Sequence, residues 1–196
     1  MIGIINYGAG NIFSLTAALD RLNLKHGMVN VEDNMDVYSH IIIPGVGHAG
    51  AAMKKLQESG LVETIKTLKQ PVLGICVGMQ LLTGFSEEGN TDLLDIMDIS
   101  TLHFANRVSL KVPHMGWNRV HTNRSSPLFQ DIDHGAYFYF VHSYFIEYNP
   151  TFTLAYTNYG IKYSSAIQHR NFYGVQFHPE KSGQAGEQLL RNFSTI

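Results

Sequence analysis

Cysteine is almost missing from this chain. The single one, Cys76, excludes an internal disulfide and leaves a thiol free to react, which fits a reducing compartment. Charge is scarce too. Asp, Glu, Lys and Arg make up 15% of the 196 residues, against about 25% in ordinary soluble domains. Part of the surface is therefore neutral or apolar, as a partner-covered face would be. A net charge of -2 argues against a nucleic-acid footprint or an acidic tail. No apolar run approaches the roughly 18 residues that a membrane span requires. The opening Met1-Ile-Gly-Ile-Ile-Asn6 has neither a basic start nor a small-residue cleavage site, so it reads as a strand. Linkers, internal repeats and low-complexity tracts are absent from the sequence. A soluble, cytoplasmic protein folded as one domain over residues 1–196 is expected.

Apolar segments alternate in period through the first half. Ile2–Asn6, Met28–Val31, His40–Ile43 and Pro71–Cys76 read as short buried strands. Gly8-Ala-Gly10 turns the chain, and Asn11 caps a helix whose apolar positions Ile12, Leu15, Ala18, Leu19 and Leu22 recur at helical spacing. Further helices are expected over Ala49–Glu58, Leu61–Leu68 and Val77–Leu82. From about Thr101 the pattern changes. Tyr137–Val141, Phe152–Tyr156, Ser164–Gln168 and Phe172–Phe177 are rich in aromatic and β-branched residues and read as consecutive strands. A last helix fits Gly183–Phe193. The expected fold is α/β, with a mostly parallel central sheet, helices on both faces and an antiparallel or mixed section in the second half.

Gly74-Ile-Cys76-Val-Gly78 lies where a strand meets a helix, as in the cysteine form of a nucleophile elbow. Glycines two residues to either side leave room for crowded backbone. The following helix start favours a thiolate, and the Val77 N–H faces the place where an oxyanion would develop. Taken alone, Cys76 reads equally as a small buried apolar residue.

Gln176-Phe-His178-Pro-Glu180 ends a strand. In extended chain, residues two apart point to one side, so Glu180 can accept a hydrogen bond from His178 and leave its other ring nitrogen for Cys76. That is the nucleophile, base and orienter of a triad. An ordinary surface His and Glu would show the same spacing. Although there are 10 histidines, no paired spacing of metal ligands occurs, so no metal or cofactor is expected. Ile41-Ile-Ile-Pro44-Gly-Val-Gly47 ends a strand in a glycine-rich loop that can present backbone N–H groups to a neighbouring nucleophile, or simply turn. Gln80, one helical turn after Cys76, can reach a bound ligand.

Together Gly74-Ile-Cys-Val-Gly-Met-Gln80, Pro44-Gly-Val-Gly47 and His178-Pro-Glu180 resemble the class I, triad-type glutamine amidotransferases, whose fold is flavodoxin-like. Within that class the chain resembles the glutaminase-subunit family of imidazole glycerol phosphate synthase. That narrower likeness rests on Asn6-Tyr-Gly-Ala-Gly-Asn11, Pro113-His-Met-Gly-Trp-Asn118, Tyr139-Phe-Val-His-Ser-Tyr144 and Phe177-His-Pro-Glu-Lys-Ser-Gly183. The resemblance implies that Cys76 attacks the side-chain amide of L-glutamine, His178 relays protons and Glu180 orients it. Val46 and Val77 would supply oxyanion N–H groups. Gly47, Gln80, His142, Ser143 and Tyr144 would hold the glutamine backbone charges. Asn11, Met115, Trp117, Asn118, Tyr139 and Lys181 would form the face that docks a barrel-shaped cyclase partner, giving a heterodimer. Ammonia crossing that interface would serve to make imidazole glycerol phosphate and an aminoimidazole carboxamide ribotide in histidine biosynthesis. Two departures stand out: the family usually has Asp where Asn6 stands, and Asn90–His103 replaces a glycine- and proline-containing stretch.

Rival readings differ in testable ways. Ile2–Asn6 with Gly8-x-Gly10 looks like the start of a dinucleotide fingerprint, with Glu32 after the second strand, but Phe13 occupies the third glycine position. A regulatory module with an idle triad, a cysteine peptidase, and a glutaminase feeding another synthase, such as one that amidates a sugar, are the others.

Overall fold

Four short runs of Ile, Val and Leu build the centre. In the computed structural model, which describes residues 1–8, 10–105 and 107–196, these are β1 (Ile2–Ile5), β2 (His26–Val29), β3 (His40–Gly45) and β4 (Val72–Cys76), all parallel. With β13 (Phe172–Val175), parallel to β4, they lie in the order β2-β1-β3-β4-β13. Strands covered on both faces have no polar side to alternate with, which is why Ile41–Ile43 and Val72–Leu73 are fully buried. Connections between parallel strands are right-handed. The path from β1 to β2 and the path from β3 to β4 run in opposite directions across the sheet. Helix α1 (Ile12–Arg21) therefore lies on one face, and α2 (Ala49–Glu58) with α3 (Val62–Thr67) on the other. Helix α5 (Gly183–Phe193) sits beside α1, where Arg21 Nε donates to Glu187 at 3.3 Å.

Beyond this parallel block the sheet is mostly antiparallel, one later pair being parallel. From β13 the sheet continues through β12 (Ile161–His169), β10 (Tyr144–Glu147) and β7 (Met97–His103), and then through β5 (Thr83–Ser86) and β6 (Thr91–Asp92). A branch leaves β12 through β11 (Thr153–Tyr159) to a hairpin of β8 (His114–Thr122) and β9 (Ala136–His142). This hairpin folds back over the carboxyl end of the parallel block, where the His178 N–H donates to the Tyr139 carbonyl at 2.9 Å. The expected mixed α/β architecture is therefore present.

Boundaries differ in instructive places. The turn read at Gly8-Ala-Gly10 includes Ala9, outside the described residues. Asn11 caps α1 as expected, accepting from Ser14 N at 3.4 Å. Strand β3 does not stop at Pro44 but runs to Gly45, with Pro44 opposite Ile75. Strand β1 pairs with β3 only as far as Ile42, so the missing proline N–H breaks no rung there. The helix expected over Val77–Leu82 is a single turn, α4 (Val77–Gln80). The divergent Asn90–His103 segment contributes β6 and β7 and buries Leu93, Leu94 and Met97.

Candidate active site

Strand β4 ends at Cys76 with a left-handed backbone, φ 54° and ψ -110°. A non-glycine residue there costs about 1–3 kcal/mol and persists only where its surroundings enforce it. Here they do. A Cβ on Gly74 would collide with the Gly78 carbonyl, one on Gly78 with the Ile43 carbonyl, and one on Gly45 would lie 2.5 Å from the Gly78 nitrogen. Glycine at these places lets β3, β4 and α4 touch backbone to backbone and forces the sharp turn that presents the sulfur. Because α4 is one turn long, the backbone beside the sulfur contributes through its nearest N–H groups rather than through a long helix dipole.

His178 comes to that sulfur from the chain just beyond β13, with Glu180 bonded behind it. The strand itself ends at Val175, but Gln176 N still donates to Ser165 O at 2.9 Å, which carries the extended course towards His178. Pro179–Lys181 then forms a turn of 3-10 helix. Extended spacing is thus not what joins the pair. The turn swings the Glu180 carboxylate onto His178 Nδ1 at 2.8 Å, with both side chains at least 96% buried. Burial alone would lower the His178 pKa. Cys76 and Glu180 outweigh it and hold the imidazolium up to about 10. The sulfur also receives a long contact from Gln176 Nε2 at 3.7 Å.

Cys76 and His178 stand on a cleft of about 360 Å³, and Glu180 lies behind His178 on a small separate cavity. Cys76, His178, Val46, Gly47, Val77, Gln80, His142, Ser143 and Tyr144 line the cleft, so every residue expected at the oxyanion or substrate positions is on its wall. The Gln80 amide donates to the Gln176 side chain at 3.1 Å and to the Tyr144 carbonyl at 3.4 Å. Its own Oε1 is buried and has no protein partner among the described residues. Three residues escaped the sequence reading. Glu88 lines the cleft and accepts from Ala49 N at 2.5 Å. Gln176 reaches the sulfur; its place two residues before His178 on one strand was the available signal. Buried Tyr7 donates to the Pro44 carbonyl at 2.6 Å, anchoring the glycine-rich loop, and burial and then the Cys76 charge push its phenol pKa up. A larger, open cleft of about 680 Å³ around Arg124 and His134 shares no lining residue with the cleft of Cys76 and His178.

The expected docking residues divide. Met115 and Trp117 are 63% and 56% exposed on one face of β8. Trp117 pairs with Tyr139, their rings 6.2 Å apart, and the Lys181 ammonium lies 6.0 Å from the Tyr139 ring. Asn118 follows Trp117 directly, so the strand pleat turns its side chain to the opposite face, where Nδ2 meets His114 at 3.2 Å. Asn11 caps α1 and borders a small cavity behind His178 and Glu180. Asn6, where the family usually has Asp, meets Asn30 at 3.2 Å.

The family model described as glutamine amidotransferase class-I matches residues 3–196. The chain is 50% identical over 192 residues to imidazole glycerol phosphate synthase subunit HisH of Pasteurella multocida (strain Pm70), covering 98% of this chain and 96% of that one. It is 47% identical over 191 residues to the protein of the same description from Escherichia coli (strain K12), covering 97% and 96%. Among solved structures, one described as a glutamine amidotransferase superposes with a TM-score of 0.76 at 15% identity, over 99% of this chain and 97% of that one. Another glutamine amidotransferase, from Thermotoga maritima, gives 0.68 at 16% identity, over 99% and 82%. At those identities the structural likeness speaks for the fold alone, while the family match and the curated relatives span nearly the whole chain: it belongs to the class-I glutamine amidotransferase family.

Proposed function

We propose that this chain is the glutaminase subunit of an imidazole glycerol phosphate synthase, acting in L-histidine biosynthesis. It hydrolyses L-glutamine to glutamate and ammonia and passes the ammonia to a cyclase subunit with which it forms a heterodimer in the cytoplasm. Residues 1–196 act as one amidotransferase domain. The observation that carries the chemistry is the pair Cys76 and His178 on one cleft at the carboxyl ends of parallel strands, the place where open α/β sheets bind ligands, with Glu180 bonded to His178 from behind. Near-full-length identity to synthase subunits supports the pathway.

In this reading the Cys76 sulfur attacks the amide carbon of glutamine, and the carbonyl oxygen becomes an oxyanion facing the backbone N–H groups of Val46 and Val77. His178 gives its proton to the amide nitrogen. The C–N bond breaks, and ammonia leaves behind a thioester. Water then attacks the thioester carbon while His178 takes its proton. The C–S bond breaks, freeing glutamate and restoring the sulfur. Glu180 keeps one ring nitrogen of His178 bonded so that the other serves the sulfur. The Glu88 carboxylate and the unpartnered Gln80 Oε1 offer the negative ends that the α-ammonium of glutamine needs, and the Gly47, His142, Ser143 and Tyr144 backbone borders the rest. Met115, Trp117, Tyr139 and Lys181 form an aromatic and cationic patch suited to anchoring the cyclase, with Asn11 and Asn118 behind it.

The test is glutamine hydrolysis by the complex with the cyclase and its nucleotide ligand, comparing wild type with Cys76→Ala. Ammonia release should disappear in the variant. Hydrolysis that survives the substitution would remove Cys76 as nucleophile, and a wild-type chain active only with a different synthase would reassign the partner.

A further inference from the structure

His114 on β8 stands opposite His142 on β9. Directly opposed residues share a face of the sheet, and here both imidazoles point inward, 3% and 6% exposed, among Phe104, Phe140 and Tyr163. Buried ring nitrogens need partners, and these have them in a line. Asn118 Nδ2 lies 3.2 Å from His114 Nε2. His114 Nδ1 lies 3.0 Å from His142 Nε2. His142 Nδ1 lies 2.6 Å from the Tyr144 carbonyl.

The two ends of the line determine its protons. A carbonyl only accepts, so His142 Nδ1 carries hydrogen. The orientation of the Asn118 amide is held by two other bonds: its Oδ1 accepts from Arg119 N at 2.8 Å and its Nδ2 donates to Asn158 O at 3.1 Å. His114 Nε2 therefore accepts, and the hydrogen of that ring lies on Nδ1, aimed at the bare Nε2 of His142. One arrangement satisfies all three contacts with both rings neutral, and the Tyr163 hydroxyl, 3.2 Å from His114 Nδ1 and 3.3 Å from His142 Nε2, fits it by accepting from the first and donating to the second. Burial favours neutral rings as well, pulling His114 down to about 4 and, with added repulsion from His114, His142 down to about 3.

The line continues to the reacting sulfur. The Tyr144 carbonyl also accepts from Gln80 Nε2 at 3.4 Å, Gln80 Nε2 donates to Gln176 Oε1 at 3.1 Å, and Gln176 Nε2 lies 3.7 Å from Cys76 Sγ. We infer that His114 and His142 are positioning residues for glutamine hydrolysis: as neutral Nδ1–H tautomers they hold the Tyr144 carbonyl, and through it the Gln80 and Gln176 amides, in register with the sulfur. The outer face of the same hairpin carries Met115 and Trp117, so a partner seated there bears on the strand that carries His114. This inference rests on the glutaminase reading above.

The test uses the complex with the cyclase. His114→Phe keeps a ring in the pocket and removes the polar contacts to Asn118, His142 and Tyr163. Its KM for glutamine should rise roughly fivefold, the worth of one neutral hydrogen bond, while kcat changes by less than about twofold. His114→Asn offers an amide donor near the lost Nδ1 position and should bring KM back to within about twofold of wild type. A merely structural role would instead lower the active fraction, and so kcat, in both variants. If His114→Phe fails to fold, nitrogen NMR of the labelled imidazoles in the wild-type protein decides: both rings should be neutral with hydrogen on Nδ1 between about pH 6 and pH 8. A proton on Nε2 of either ring, an imidazolium, or an unchanged KM in a folded His114→Phe variant overturns the inference while leaving the glutaminase reading intact. A wild-type complex that does not hydrolyse glutamine overturns both.

Discussion

Glu180→Gln probes the site with almost no change in volume. The carboxylate gives Oε1 to His178 Nδ1 at 2.8 Å, and its Oε2 is buried without a partner among the described residues. A glutamine amide has two ways to fit. With its NH2 towards the ring, His178 Nδ1 must accept, the ring hydrogen moves to Nε2, and the base faces the sulfur already protonated and without its counter-charge. With its oxygen towards the ring, the NH2 occupies the Oε2 position, where a donor finds no acceptor at a cost of about 1–3 kcal/mol. Either way the charge that helps hold His178 up to about 10 is gone. A hydrogen bond to a charged group is worth about 1.5–3 kcal/mol, or roughly 10–150-fold in rate. Misplacing the proton of a general base adds to that, up to about 10⁴-fold. The expected fall in kcat is therefore about 10²–10³-fold. KM should change by less than about threefold, because Glu180 borders the small cavity behind the triad and not the cleft where glutamine sits. Steady-state glutamine hydrolysis by the complex measures both. A loss in kcat below about tenfold at normal KM would refute the orienting role.

Three further outcomes are expected. Gly78→Ala places a methyl on the Ile43 carbonyl, which as backbone has little room to yield; a cost of about 3 kcal/mol should lower Tm by roughly 6–12 °C, and a variant melting with wild type would contradict the backbone contact. Trp117→Ala removes a side chain that is 56% exposed, so stability should move by less than about 1 kcal/mol while cyclase affinity falls about 30-fold; equal affinity by calorimetry would take Trp117 out of the interface. Stability should peak near neutral pH. Below the ordinary value of 6.5 the unfolded chain binds protons that His114 and His142 refuse until about 4 and about 3, a loss of about 1.4 kcal/mol per pH unit for each ring. His178 has the opposite sign: its contribution is complete below 6.5 and disappears as pH rises to about 10. Denaturant titrations across that range test both limbs, and a His114→Phe chain with an undiminished acid slope would reject the first.

Buried parallel strands were legible because burial on both faces removes the need for polar residues: runs such as Ile41–Ile43 have few other places to be. Helices α2 and α5 were read to their ends because their periodic stripes match the faces they bury. Strands β5, β6, β7, β8 and β10 escaped. They mix polar and apolar residues, and β7, β8 and β10 pair with segments far off in sequence, such as Tyr144 with His103 and Ala155 with Thr122, a partner that no local pattern encodes.

The candidate site divides along the same line. Cys76 and its glycines were readable because a tight turn limits which residues fit beside it. His178 and Glu180 were readable as a pair, although a turn of 3-10 helix and not extended chain joins them. Glu88, Tyr7 and His114 were not, because each acts through something distant: the Ala49 N–H, the Pro44 carbonyl and the His142 ring. Asn118 shows the limit from the other side. Motif resemblance assigned it to the docking face with Trp117, yet a strand cannot put adjacent side chains on one side. The pleat sends Trp117 outward and Asn118 to His114, so one hairpin carries an apolar outer face and, behind it, a hydrogen-bonded line running to the sulfur.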